Sequence, residues 1–256
     1  MIYQRLAMSI TALMGLLFCH NISASETDDW RFEVTPYFLA AGMEGEVGIG
    51  GRTADIDMSF DDILDSLDAG FMGLFSAQKG PWTLGFETVY FKLSDDASVT
   101  GPLGRVDAAI DLTTEMSIFS GTVAYRIVDE KTKLDVLGAL RYTDLEADAS
   151  VLINSAGPVA FSTSLDAGGS KDWTDVVLGL KVTHPVASDV DLVGYVDVGG
   201  NDDSETWQAI AGVNWHFKED YTAKFGYRVL DWDYDDGSFK WDMQSAGIYA
   251  GLGIAF

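Results

Sequence analysis

The sequence predicts an all-β fold, a transmembrane antiparallel up-and-down β-barrel of about ten strands, with eight or twelve also compatible. Three observations lead there. Apolar residues alternate with polar residues or glycine at a period of two through most of the chain, which marks strands with two different environments. The alternating segments pair through short polar turns. The connections between pairs are longer, and short turns at one end with long loops at the other are how outer-membrane barrels are built.

Composition narrows the classes first. The 256 residues are 47% hydrophobic and 12% aromatic, too rich in both for a disordered acidic chain. Against 40 acidic residues stand only 16 Lys and Arg, so a phosphate-binding surface for nucleic acid is excluded. Beyond the first two dozen residues no apolar run reaches the roughly 18 residues of a membrane-spanning helix.

The chain opens with Arg5, an apolar stretch from Leu6 to Cys19 and the small-residue exit Ile22-Ser23-Ala24-Ser25. A basic start, a short apolar run and small residues describe a secretory signal peptide over 1–24, leaving 25–256 as a single barrel domain. Arg5 is the leader's only charge, so the exported part keeps 15 basic and 40 acidic residues, net −25. Cys19 goes with the leader, which suits an oxidising compartment without disulfides. A lipoprotein site at Leu16-Leu17-Phe18-Cys19 is disfavoured, because Phe18 stands where a small residue is expected.

The expected strands follow in order. An opening strand covers Trp30 to Ala41. Phe71, Phe75 and Ala77 lead into the turn Gln78-Lys79-Gly80-Pro81, and Trp82, Leu84, Phe86 and Tyr90 lead out. Phe119 to Ile127 precede Val128-Asp129-Glu130-Lys131, with Leu134, Val136, Leu140 and Tyr142 after it. Val176 to Val182 precede the turn from His184 to Ser188, with Val190 to Val198 after it. Ala209 to Phe217 precede Lys218-Glu219-Asp220, with Tyr221 to Val229 after it. A closing strand runs from Lys240 to Phe256. The segments 42–68, 95–114, 146–172, 199–205 and 233–238 read as outer loops.

The faces opposite the apolar sets carry Arg31, Glu33, Glu87, Arg126, Arg141, Lys181, Asp197, Lys224 and Arg228, the candidates for the barrel lining. A soluble sandwich would show the same period, so alternation alone leaves it open. Aromatic residues near the turns (Trp82, Tyr125, Trp215, Phe217, Tyr221), glycines on the polar face and the terminal Phe256 favour the membrane barrel.

The ending Gly247-Ile248-Tyr249-Ala250-Gly251-Leu252-Gly253-Ile254-Ala255-Phe256 resembles the last strand of Gram-negative outer-membrane proteins. That resemblance implies that Phe256 is a signal read by the barrel-assembly machinery. Thr35-Pro36-Tyr37, Gly48-Ile49-Gly50-Gly51, Asp55-Ile56-Asp57, Phe60-Asp61-Asp62-Ile63-Leu64 and Gly226-Tyr227-Arg228 resemble a family of small proteobacterial outer-membrane barrels without a settled activity.

Four features invite a function. Phe60, Ile63, Leu64 and Leu67 fall at helical spacing within Ser59–Asp68, where Ser59 caps and Asp61 and Asp62 suit the first turn. That short helix in the first outer loop is either a plug or lid over the lumen or a packing element on the rim. The run Asp231 to Gly237 departs from a calcium loop in its glycine position and in lacking the final Glu, so loose divalent binding is the most it suggests. His184 and His216 belong to the short-turn end, so no His-assisted nucleophile forms at the outer rim and an enzyme is disfavoured. The mixed inward charges suit either a narrow porin-like diffusion channel for small solutes or a non-conducting structural or surface-interaction barrel. The expected partners are outer-membrane lipid, lipopolysaccharide, the barrel-assembly machinery and, for a channel, small solutes. No cofactor is expected.

Overall fold

Four two-to-four-residue turns fold the chain back on itself, each where the sequence breaks its alternation. The first is the sharpest: Lys79 pairs with Trp82 across Gly80 and Pro81, and Gly80 holds φ 55°, the positive value a two-residue hairpin loop needs at its first position. In this computed structural model, which describes residues 29–49, 51–100, 106–155 and 161–256, the chain forms eleven strands and one helix. The strands are β1 (Arg31–Ile49), β2 (Arg52–Met58), β3 (Leu67–Lys79), β4 (Trp82–Thr100), β5 (Val106–Asp129), β6 (Lys133–Ser155), β7 (Phe161–Pro185), β8 (Val190–Gly200), β9 (Ser204–Lys218), β10 (Tyr221–Asp235) and β11 (Phe239–Ala255). The helix α1 (Phe60–Asp65) lies between β2 and β3. The leader 1–24 and Cys19 fall outside the described residues.

Each strand pairs antiparallel with its neighbour, and β11 returns to β1 to close the barrel. Ten strands are staves. The eleventh, β2, pairs only with the outer half of β1, from Met43–Met58 to Ile49–Arg52. The half of β1 nearer the short turns pairs instead with β3, from Arg31–Gln78 to Pro36–Gly73. Phe256 completes the closure through backbone bonds with Phe32 (3.2 and 2.9 Å), and the two rings stack at 5.8 Å.

The outward face of the lower barrel is apolar and open. Phe38, Phe71, Trp82, Leu84, Phe86, Val123, Leu178 and Ile248 are all exposed large hydrophobics. On β4 this band runs from Trp82 to Tyr90, about 26 Å along the strand at roughly 3.3 Å per residue. Its nine residues match the roughly nine to eleven of a strand that crosses a bilayer at a tilt.

Above the band the pattern changes sign without changing phase. The outward positions become Lys92, Glu115, Asp144, Asp172, Glu205 and Asp231, with Lys92 and Glu115 paired across strands at 2.7 Å. The inward positions become apolar. Met43, Val89, Met116, Ile118, Leu145, Trp173, Leu230, Trp232, Tyr234, Trp241 and Met243 form one buried cluster inside the outer mouth. The lower half of the barrel is thus apolar without and polar within, the pattern of a membrane-spanning barrel, and the upper half is apolar within and charged without, the pattern of a water-soluble one.

This reversal corrects the expected loop boundaries. Most of 42–68, 95–114 and 146–172 and half of 233–238 is strand, so β5, β6 and β7 reach 24, 23 and 25 residues. An interior apolar core keeps the ladders paired where a lipid-facing pattern has already ended. The helix also ends earlier than its apolar spacing implied: Leu67 opens β3. Its start is as read, with Ser59 accepting from the Asp62 amide and the Asp62 carboxylate accepting from the Ser59 amide in a reciprocal capping box.

Candidate functional site in the barrel interior

Three layers fill the interior, and the lowest two are ionic. Nearest the short-turn end, Lys224 on β10 donates to Glu33 Oε1 on β1 at 2.5 Å and to Thr35 Oγ1 at 3.1 Å. Gly253 on β11 leaves the space: a Cβ there would stand 2.8 Å from Glu33 Oε2 and 3.0 Å from Lys224 Cε. Arg126 Nε meets Asp135 Oδ1 at 2.9 Å on the adjacent strand. Lys181 faces the same layer with its side chain exposed, and no carboxylate pairs with it among the described residues. Arg31 stands exposed at the short-turn rim, beside Gln78, rather than deep in the lining.

The middle layer spans the barrel. Arg228 on β10 reaches Glu87 on β4 through both guanidinium ends, at 2.8 and 3.3 Å. Tyr37 on β1 joins them, donating to Glu87 Oε1 at 2.7 Å and accepting from Arg228 Nη1 at 2.9 Å. Beside this trio, Arg141 on β6 donates to Asp197 Oδ2 on β8 at 2.8 Å and to Thr206 at 2.9 Å. Tyr195 and Gln208 donate to the same Asp197 oxygen at 2.6 and 3.2 Å. Arg141, Asp197 and Arg228 are 3%, 2% and 4% exposed, so each charge survives burial because its partners are in place.

The third layer is the apolar cluster at the mouth. Trp173 and Tyr234 stack there at 4.6 Å, and Met116 and Met243 are among its most deeply buried side chains. Sequence reasoning brought Glu33, Glu87, Arg126, Arg141, Asp197, Lys224 and Arg228 to the inner face, and the register pairs them in two layers. It missed Tyr37, Asp135, Tyr195 and Thr206, although Asp135 carries a readable signal, a carboxylate between Leu134 and Val136. It missed the apolar layer entirely.

The helix with Phe60, Ile63 and Leu64 packs against β1 and β2, at the wall and not across the lumen. Phe60 meets Phe38 edge-on at 5.9 Å. Tyr37–Gly42 of β1 and Leu67–Met72 of β3 have no strand partner toward each other, so the wall is unzipped between them. An apolar cavity of about 140 Å³ occupies this place.

The acidic run resolves by alternation. Asp231, Asp233 and Asp235 point out while Trp232 and Tyr234 point in, and Asp236 shapes the turn by accepting from Ser238, Phe239 and Lys171. Among the described residues no group of three or more His, Cys, Asp or Glu is arranged to hold a metal ion. His216 lies between Thr222 Oγ1 (2.9 Å) and Asp191 Oδ2 (3.0 Å), and Thr222 is only 7% exposed. His184, near the end of β7, is held by Thr132 at 2.7 Å.

No protein-family model and no curated protein matches this chain. Solved structures do. The chain is similar to the outer membrane protease OmpT from Escherichia coli, with a TM-score of 0.51 and 11% identity over 91% of this chain and 99% of that one. Weaker likenesses are to the translocator domain of the autotransporter NalP from Neisseria meningitidis (TM-score 0.43, 13% identity, 98% and 95% covered) and to Ail, the attachment invasion locus protein of Yersinia pestis (TM-score 0.40, 12% identity, 90% and 100% covered). The chain therefore has the fold of the small outer-membrane β-barrels, closed and ten-stranded. Fold likeness at this identity carries no activity with it.

Proposed function

We propose that the protein is an integral outer-membrane barrel of a Gram-negative bacterium, exported through a cleaved leader, that is closed to bulk solute and serves as a structural, surface-presenting protein. The observation that carries this reading is the filled interior. A water path would have to cross two layers of charges, paired except for Lys181, and then a mouth packed with Trp, Met and Leu side chains. Ten strands lie close to the eight at which side chains just fill a barrel, so nothing in the architecture demands an open lumen.

Surface presentation is supported by the long staves. The outer ends of β4 to β7 continue as a paired sheet well beyond the apolar band, with Leu112 and Leu152 exposed on it. Lipid and lipopolysaccharide are the partners of the apolar band, and the assembly machinery is the reader of Phe256.

Two experiments test the reading. The protein should fractionate with outer membranes and migrate faster unheated than heated on a detergent gel; recovery in osmotic-shock fluid would remove the membrane placement. Purified protein in a planar bilayer should give no unitary conductance steps. Reproducible steps would restore the narrow diffusion channel instead.

A further inference from the structure

We propose that the cavity under α1 binds a neutral apolar molecule about the size of a single aromatic ring, which reaches it from the outer leaflet through the unzipped wall between β1 and β3. The site rests on the outer-membrane placement and is independent of whether the barrel conducts ions.

Volume and lining set the ligand class. An apolar void of roughly 150 Å³ in another protein stays dry and takes up benzene, so a space of about 140 Å³ here suits one ring and little more. Its inner wall is Leu39, Met72, Val89, Ile118 and Leu230, and its outer wall includes Phe38, Phe71 and Leu64. Arg228 is the lone charge among its lining residues, and both ends of that guanidinium are already committed to Glu87 and Tyr37. Of the lining donors, Arg228 Nε and the Trp232 indole Nε1 lack a hydrogen-bond partner, but the guanidinium charge is already neutralised by Glu87, so a neutral ring suits this largely hydrocarbon wall better than an anion.

The route follows from the ladder. Pro36, which has no N–H to donate, makes the last β1–β3 pair, and Met43 makes the first β1–β2 pair. The six residues between them leave their edge unpaired at the level of Phe71 and Tyr90, the top of the lipid-facing band. Unpaired backbone at membrane depth is tolerated where it lines a cavity or is covered by protein, and here it does the first and α1 supplies the second. The cavity has lining residues on both faces of the wall, inward Ile118 and Leu230 and outward Phe38 and Phe71, so it passes through the wall.

Gly70 provides the probe mutation. A Cβ there would meet only the Leu67 methyls, at 3.6 and 3.8 Å, and the Tyr90 carbonyl at 3.8 Å, all ordinary contacts. A larger side chain therefore fits the strand while filling the gap. Fluorobenzene is titrated into the full-length protein in nanodiscs and followed by fluorine NMR, with empty nanodiscs as the reference. Saturable binding is expected, weakened at least tenfold in Gly70→Leu and in Ala41→Leu, while both variants keep the heat-modifiable folded band. Exchange of bound and free probe should quicken several-fold in Phe38→Ala. Uptake no different from empty nanodiscs, or binding unchanged in both filling variants, overturns the site; unchanged exchange in Phe38→Ala overturns the route. Loss of the membrane placement itself would be seen separately, in the fractionation.

Discussion

Arg228 and Glu87 hold the barrel together across its interior: the two residues are 141 positions apart in sequence, lie on β10 and β4, and meet at 2.8 and 3.3 Å. Neither strand touches the other through the sheet, since the order around the wall places five strands between them on one side and three on the other. The pair is a strut, and Tyr37 braces it from β1.

A strut made of buried charge is costly to break and cheap to replace. Glu87→Leu leaves the Arg228 guanidinium, with a side chain 5% exposed, without its counter-ion and should lower unfolding free energy by about 3–5 kcal/mol. Adding Arg228→Met should recover most of that loss. Urea unfolding in detergent, read by tryptophan fluorescence, measures both; a double variant as unstable as the single would show that the pair itself, and not the orphaned charge, sets the stability.

Glycines on the inner face are spaces for specific neighbours. A Cβ on the inward Gly226 would stand 2.4 Å from the Ala211 carbonyl and 2.6 Å from the Tyr249 ring, whereas one on Gly194, on the outward face of β8 with Val196 and Val198, meets nothing within 4 Å. Gly226→Ala should therefore reduce the yield of the fast-migrating folded band, and Gly194→Ala should leave it unchanged. Equal yields for the two would remove the packing account of Tyr249.

What the sequence made legible was phase. Glu87 between Phe86 and Thr88, Arg228 between Tyr227 and Val229, and Asp197 between Val196 and Val198 were assigned to the inner face from alternation alone, and the turn at Gly80-Pro81 from its residue types. Two things stayed hidden for physical reasons. Alternation says which face a residue occupies but not what surrounds that face, so Asp233-Tyr234-Asp235 falls within the expected loop 233–238 when it is still strand, with the Tyr234 ring inward. Pairing across the interior depends on register around the whole wall, and no local pattern records that Glu87 faces Arg228 or that β1 changes partner after Pro36.

The apolar mouth should contribute like the core of a soluble protein. Met243 is 1% exposed and Met116 1%, both within the cluster with Trp173 and Trp232. Met243→Ala should cost about 2–5 kcal/mol through lost burial and the cavity left behind. The exposed, lipid-facing Ile248 on the same strand should cost less when truncated, because lipid refills the space. Unfolding curves for the two variants decide it, and equal losses would contradict a packed mouth.

The outer end should be sensitive to acid through Asp236. Its carboxylate accepts from Lys171 Nζ at 2.5 Å, from the Ser238 hydroxyl and amide at 2.7 and 2.9 Å, and from the Phe239 amide at 2.8 Å. The Lys171 contact above all, then Ser238 and Phe239, hold this carboxyl well below the usual range. A depressed folded value means that the charged form is the one the fold prefers. The contribution is therefore complete above the ordinary Asp value of about 3.9 and is lost as pH falls through the lowered one. Asp236→Asn removes the charge, so wild type and variant should differ in melting temperature at pH 6 and converge as pH approaches 2. Other carboxylates titrate in the same window, but they are common to both proteins and cancel in the difference. A gap that stays constant from pH 6 to pH 2 would mean that the turn is held by backbone geometry and not by the ion pair between β7 and the β10–β11 connection.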